Sequence, residues 1–426
     1  MRFKVFKNTV LLLVLVAIAC GSKTKNDITV NGDLKDNEQK VQPIITGANQ
    51  TENYLPLLQG KRVGIVANQT SVIKNIEKSS GLTNTAEDIE ITTVTYNHIV
   101  DSLLKHKVDI KKVFAPEHGF RGKADAGENV KDGVDTKTGL PIYSLHGKHK
   151  KPTKAQLEDL DIMIFDIQDV GVRFYTYIST LHYVMEACAE NDVPLVIFDR
   201  PNPNGNYVDG PVLENEHSSF LGMHPIPLVH GMTIGEYAQM INGEGWLSGG
   251  ITCDLSIIKL KNYQHISTYS LPIRPSPNLP NDQAITLYPS LGLFEGTNIN
   301  AGRGTEFQFQ RYGAPFLDTT YYTFQYTPVA NFGSKYPKHQ NELCYGTDLS
   351  EVKAERRFTL KYVIDAYENA TDKTKVFNTS NFTLHAGTAT LQQQIEAGMS
   401  ELDIRKTWSA GLEKFKSVRT KYLIYN

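Results

Sequence analysis

Four uninterrupted apolar runs recur along the first half of the chain, and each breaks off into polar residues at its C-terminal end: RVGIVANQT, KKVFAPEHGF, DIMIFDIQD and VPLVIFDRPNPNG. Runs of this length, β-branched or aromatic throughout, suit strands buried on both faces. Helical patterns separate them. TKAQLEDL opens with a capping box from Thr153 to Gln156, and YISTLHYVMEACAEN places apolar residues at helical spacing. Strands alternating with helices predict an α/β fold built on a parallel sheet. In such a sheet all strand C-termini share one edge, and ligands bind there at the topological switch point. Strand direction alone therefore predicts that Glu117, His118, Asp166, Asp169, Arg200 and Asn202 converge in space.

Further along, MTIGEYAQMING predicts a helix capped by Thr233, with Glu236 as its box partner, and CDLSIIKL another strand. The proline-rich LPIRPSPNLPNDQAITLYP cannot stay regular for long, and a domain boundary is placed just before it. Glu401–Tyr425 reads as a terminal helix. At the other end, Arg2, Lys4 and Lys7 precede the apolar run Val10 to Ile18 and then Ala19-Cys20-Gly21. That pattern is a secretory signal peptide whose end resembles a lipobox, with Cys20 as the lipid attachment site. The expected layout is a lipoprotein signal peptide over 1–20, a polar flexible tether over 21–58, a Rossmann-like catalytic subdomain over 59–268 and a C-terminal α/β subdomain over 269–426. The expected location is the cell envelope, on a membrane through the N-terminal lipid.

Composition narrows the field. A net charge of −2 over 426 residues argues against a nucleic-acid partner. Cys188, Cys253 and Cys344 are scattered, so buried free thiols are the preferred reading, with one disulfide plus a spare thiol as the alternative. There is no HExxH, paired-cysteine or GxSxG pattern. The glycines around Arg303 match neither a P-loop nor a dinucleotide fingerprint, and no cofactor is expected.

The residue types that remain suit sugars. Glycosidic cleavage usually needs two carboxyls flanking the bond, and Glu117, Asp166, Asp169 and Glu295 sit in loop-like settings. Asp166 either joins them or only holds the next turn. Arg173, Arg200 and Arg303 lie beside Gly or Pro, where a guanidinium either grips an anionic ligand or pairs with a nearby carboxylate, as Arg173 with Asp169. Tyr175 and Tyr177 either stack on a pyranose or pack in the core. Asn202, Asn204 and Asn278 supply amides for hydroxyl and acetamido groups. A Mg or Mn site on Glu117, His118, Asp166 and Asp169 is the competing reading.

The segments APEHGFRG, TGLPIYSLHG, FDIQDVGVRFYTY, DRPNPNG, HGMTIGEYA, PSPNLP and EGTNINAGRGTEFQF follow one another in order. Together they resemble the exo-β-N-acetylmuramidase family of NamZ-type peptidoglycan hexosaminidases, from about Arg62 to the C-terminus. The resemblance implies a Rossmann-like subdomain followed by a smaller α/β subdomain, with the active site in the cleft between them. It implies release of N-acetylmuramic acid from non-reducing ends of peptidoglycan fragments, with muramyl glycans as the partner. It makes Glu117 the first candidate for a catalytic acid and Asp169 the second. His230, in HGMTIGEYA, joins His118, Asp166, Tyr175, Glu295 and the asparagines as an expected substrate contact. Muramic acid carries a lactyl carboxylate that glucosamine lacks, and Arg173, Arg200 and Arg303 are the candidates to read it. NINAGRGTEFQF and IRPSPN depart from the family's usual residues, at what the resemblance suggests are pocket edges. A metal-dependent hydrolase and a non-catalytic sugar-binding lipoprotein are the alternatives.

Overall fold

A computed structural model describes residues 42–82, 88–122, 128 and 132–426. The proposed signal peptide, Cys20 and the first half of the predicted tether lie outside the described residues. The strands are β1 (Arg62–Ala67), β2 (Val72–Leu82), β3 (Asp88–His98), β4 (Asp109–Ala115), β5 (Gly133–Val134), β6 (Pro141–Ser144) and β7 (Ile162–Asp166). They continue as β8 (Leu195–Phe198), β9 (Asp209–Val212), β10 (Pro227–Val229), β11 (Leu255–Ile258), β12 (Arg311–Ala314), β13 (Phe324–Tyr326) and β14 (Cys344–Asp348).

The main sheet runs β11-β8-β7-β1-β4-β6-β5, parallel except for the β5 edge. From β1 the chain adds β4 and β6 on one side, then returns to add β7, β8 and β11 on the other. This is a doubly wound sheet, and its switch point lies between β1 and β7. The four apolar runs are its central strands. Their residues alternate between two cores, as the period of two requires. Val66, Phe114, Phe165 and Ile197 face one, and Ile65, Val113, Ile164 and Val196 face the other. A run must therefore be apolar at every position to serve both faces.

β2 and β3 form a long antiparallel hairpin, and β12-β14-β13 a small antiparallel sheet in the smaller C-terminal lobe. The capping boxes Thr153–Gln156 and Thr233–Glu236 both form. Cys188, Cys253 and Cys344 are buried free thiols.

The structure differs from the predicted layout at two places. Residues from Pro43 belong to the compact body, so the predicted tether ends before 58. The helix Thr51–Leu58 buries Tyr54 and Leu58, one turn apart, and Tyr54 stacks on Phe198 with ring centroids 4.2 Å apart. Two apolar side chains at helical spacing suffice to dock a segment that is polar on average. The expected division into a Rossmann-like part and a smaller C-terminal α/β part is present, and one apolar core runs through both, joining Val66 and Phe165 to Phe382 and Phe415. Finally, the terminal helix stops at Arg419. The carboxylate of Glu236 accepts the N–H groups of Ile424 (2.8 Å) and Tyr425 (3.2 Å), and the Tyr425 hydroxyl donates to Asp199 (2.7 Å). These bonds draw the tail off the helix axis.

Candidate active site

A cavity of about 260 Å3 opens at the carboxyl edge of the sheet, lined by Glu117 and His118 after β4 and by Phe174, Tyr175 and Thr176 after β7. The later part of the chain closes it with Ser276, Asn278, Tyr288, Glu295, Arg303, Phe309 and His385. This is where strand direction placed it.

Glu117 is aimed by its turn. After β4, the Gly119 N–H bonds back to Pro116 O at 3.0 Å, and both His118 (φ 71°) and Gly119 (φ 73°) take left-handed backbone. A non-glycine residue in that region is strained, and such strain gathers at functional sites. The Thr176 hydroxyl donates to Glu117 Oε2 at 3.2 Å, and the Tyr177 hydroxyl reaches Glu117 O at 3.3 Å. Asn68, at the end of β1, donates to the same tyrosine oxygen at 2.9 Å. The three loops around the switch point thus hold Glu117 in register.

The later part of the chain brings another carboxyl, Glu295, to the cavity. Glu295 pairs with Arg303 at 3.0 Å. Arg303 also donates to Gly333 O at 3.3 Å, while its Nε has no partner. Asn278 donates to the same carbonyl at 2.8 Å, and its buried Oδ1 has no partner. A buried polar atom without a partner is costly, and a ligand hydroxyl or amide would satisfy it. Tyr175 is fixed by its hydroxyl on Pro275 O at 2.7 Å. Tyr288 meets Phe174 and Phe309 edge-on, with centroids 5.3 and 4.8 Å away. Burial raises the Tyr175 and Tyr288 hydroxyls well above their ordinary range, so both remain neutral donors.

Of the residues expected to touch substrate, Glu117, His118, Tyr175, Asn278, Glu295 and Arg303 line this cavity; the others do not. Arg173 is fully buried, and its guanidinium donates to four backbone carbonyls: Pro211 (2.8 Å), Ile226 (2.9 Å), His385 (3.0 Å) and Ala386 (2.6 Å). It ties the β9–β10 region to the C-terminal lobe and pairs with no Asp169. Burial without a carboxylate partner brings its pKa down to about 9. Arg200 and Asp166 hold each other in a buried bidentate pair (2.6 and 2.9 Å), and Arg200 also donates to Val72 O. Asn202 donates to Met232 O and accepts from Asn204 N–H; Asn204 donates to Val170 O and Ile285 O. These polar strand ends satisfy one another, so they shape the loops instead of facing a ligand. The metal reading fails on the same fact, because both Asp166 oxygens are taken by Arg200. Among the described residues, the group with metal-like spacing is Glu214, Glu216 and His217, away from this cavity.

Asp169 and His230 lie behind the wall. Asp169 Oδ2 accepts Gly171 N–H at 2.7 Å and lies 3.9 Å from His230 Nε2, while Asp169 Oδ1 and His230 Nε2 have no hydrogen-bond partner. Burial lifts the Asp169 carboxyl to about 7 and lowers His230 to about 3. The folded protein therefore binds a proton at Asp169 that the unfolded chain releases near pH 4. With more protons bound at Asp169 in the folded state, this group's contribution to stability falls as pH rises from about 4 to 7, while His230, neutral when folded and protonated in the unfolded chain below its ordinary range near 6.5, contributes in the opposite direction. Asp169→Asn should remove the falling contribution and leave stability rising more steeply with pH than in the wild type, read as melting temperature against pH from 5 to 7. An unchanged slope would show that Asp169 titrates normally.

Thr176, Ser276, Tyr288, Phe309 and His385 also line the cavity. Thr176 and Ser276 fall inside the motifs FDIQDVGVRFYTY and PSPNLP, where a signal existed. Tyr288 sits in the helix Asp282–Leu291, which forms inside the proline-rich segment expected to be irregular, and His385 in the helix Thr379–Ala386, and no motif singled out either.

Over most of its length the chain is similar to known proteins. Family models described as the N-terminal and C-terminal domains of exo-β-N-acetylmuramidase NamZ match residues 63–283 and 286–425. The chain is 38% identical over 415 residues to the peptidoglycan β-N-acetylmuramidase NamZ of Bacillus subtilis, covering 92% of this chain and 94% of that one. It is similar to two crystal structures of DUF1343 family proteins from Bacteroides fragilis. One is 43% identical with a TM-score of 0.78, the other 28% identical with a TM-score of 0.70. Each alignment covers 90% of this chain and 99% of the other.

Proposed function

The chain belongs to the exo-β-N-acetylmuramidase NamZ family, and on that premise we propose that it releases N-acetylmuramic acid from the non-reducing ends of peptidoglycan fragments. The observation that carries the reading in this chain is that Glu117 and Arg303 line one small cavity together. A small cavity suits a terminal sugar, where an endo-acting enzyme needs a long groove.

Glu117 is the proton donor to the glycosidic oxygen, oriented by Thr176. Arg303 is the one arginine of the three candidates that lines the cavity, and it meets the lactyl carboxylate. Glu295 holds the guanidinium in place until the substrate carboxylate arrives. Tyr175 and Tyr288 exclude water and offer neutral hydroxyls. Digestion of peptide-free glycan fragments tests the activity: free N-acetylmuramic acid should appear from the first minutes, with fragments shortened from the non-reducing end. Early appearance of internal disaccharides would contradict it.

We further propose that Cys20 carries a lipid that holds the enzyme on the cell envelope. The support is the basic, apolar, Ala19-Cys20 order of the N-terminus. Radiolabelled palmitate should enter the protein and be lost in Cys20→Ser; equal labelling of both would refute the anchor.

A further inference from the structure

A second cavity of about 170 Å3 adjoins the first and shares Glu295 and Arg303 with it. Asn300, Ser334, Tyr336 and Lys338 complete its polar wall. The segment that forms its outer side is firmly held. The buried Lys338 ammonium donates to the carbonyls of Phe294 (2.7 Å) and Glu295 (3.2 Å), and Val329 N–H donates to Gly304 O (2.9 Å). Gly333 O receives both Asn278 and Arg303 from the first cavity. On this anchored segment the apolar side chains point outward. Tyr336 is 90% exposed, Phe332 59% and Val329 50%, with Phe307, 38% exposed, on the neighbouring turn. Single exposed apolar residues need no explanation. Several of them on a rigid rim beside a catalytic cavity mark a contact surface.

An exo-acting enzyme encloses one sugar and leaves the rest of the chain outside, so that remainder must cross the rim. We propose that the second cavity and the Tyr336 ring form a leaving-group subsite, which takes the amino sugar following the cleaved muramic acid. The inference rests on the reading of the first cavity as the muramic acid site. A β-linked sugar has an apolar face of C–H groups, and a tyrosine ring supplies a flat partner with a polar tip. Binding of this remote sugar contributes to the barrier at the reacting carbon, so its loss shows in kcat/KM.

The test compares two substrates. One is the disaccharide of N-acetylmuramic acid β-linked to N-acetylglucosamine. The other is β-N-acetylmuramyl fluoride, whose leaving group is one atom and reaches no subsite. Tyr336→Ala should lower kcat/KM on the disaccharide about tenfold and leave the fluoride unchanged, while Tyr336→Phe should retain most of the disaccharide rate. Equal loss on both substrates, or loss on neither, overturns the subsite. So does an unaffected disaccharide with a selective loss on a muramyl substrate bearing a stem peptide, which would assign the rim to peptide. Failure of the wild-type enzyme to cleave either substrate would instead refute the muramidase reading itself.

Discussion

Glu117→Gln should fold normally and lose at least about a hundredfold in kcat on a peptide-free muramyl disaccharide, the usual size of a general acid's contribution. The amide keeps the size of the carboxyl and can still bond the Thr176 hydroxyl, so the turn that aims it survives. What disappears is the proton. A muramide with a strongly acidic phenol as its leaving group needs less protonation, and the variant should recover part of its rate there. If both substrates suffer equally, Glu117 acts otherwise than as a proton donor. If neither suffers, the carboxyl chemistry belongs to another residue of the wall.

The second large effect concerns stability. Arg200→Leu should cost about 3–5 kcal/mol in denaturant unfolding, because it leaves the fully buried Asp166 carboxyl without its bidentate partner. Burial already pushes that carboxyl above its ordinary range, against the pull of Arg200. Adding Asp166→Leu should return much of the loss, since replacing both members of a buried pair with apolar groups is often neutral. Catalysis per folded molecule should hold in the single variant, because Arg200 does not line the cavity. A stable Arg200→Leu enzyme with a raised KM for muramic substrates would restore Arg200 as a substrate reader.

Arg200 illustrates what the sequence could and could not tell. The apolar runs, their strand direction and the convergence of their polar ends were all legible, because a strand buried on both faces leaves a plain pattern. Which polar ends face a ligand was not legible. Asp166, Arg200, Asn202 and Asn204 carry the same residue types as a binding site, yet they bond one another and the backbone of neighbouring loops. Arg173 sits in the most conspicuous motif and serves four carbonyls. Glycine-flanked Arg303 and Glu117 in its tight turn were chosen on the same kind of signal, and the cavity includes both. The difference lies in tertiary hydrogen bonds that span 30 residues or more, such as Arg200 to Asp166, Asn202 to Met232 and Asn204 to Val170, which no local pattern encodes. Tyr288 and His385 fail in the opposite direction. Tyr288 lies in the proline-rich stretch expected to be irregular, yet a helix forms there and sets it at the edge of the core that is also the cavity wall, and no motif marks His385.

The central claim is that this cavity encloses muramic acid and reads its lactyl carboxylate through Arg303. The most direct measurement is kcat/KM on paired chromogenic β-glycosides of N-acetylmuramic acid and N-acetylglucosamine, for the wild type and for Arg303→Met. The wild type should prefer the muramide by at least about a hundredfold, a ratio within reach of a half-buried charge-assisted pair that the substrate itself covers. The variant should lose most of that preference through the muramide alone. Equal cleavage of both sugars by the wild type, or a preference untouched in Arg303→Met, would contradict the account.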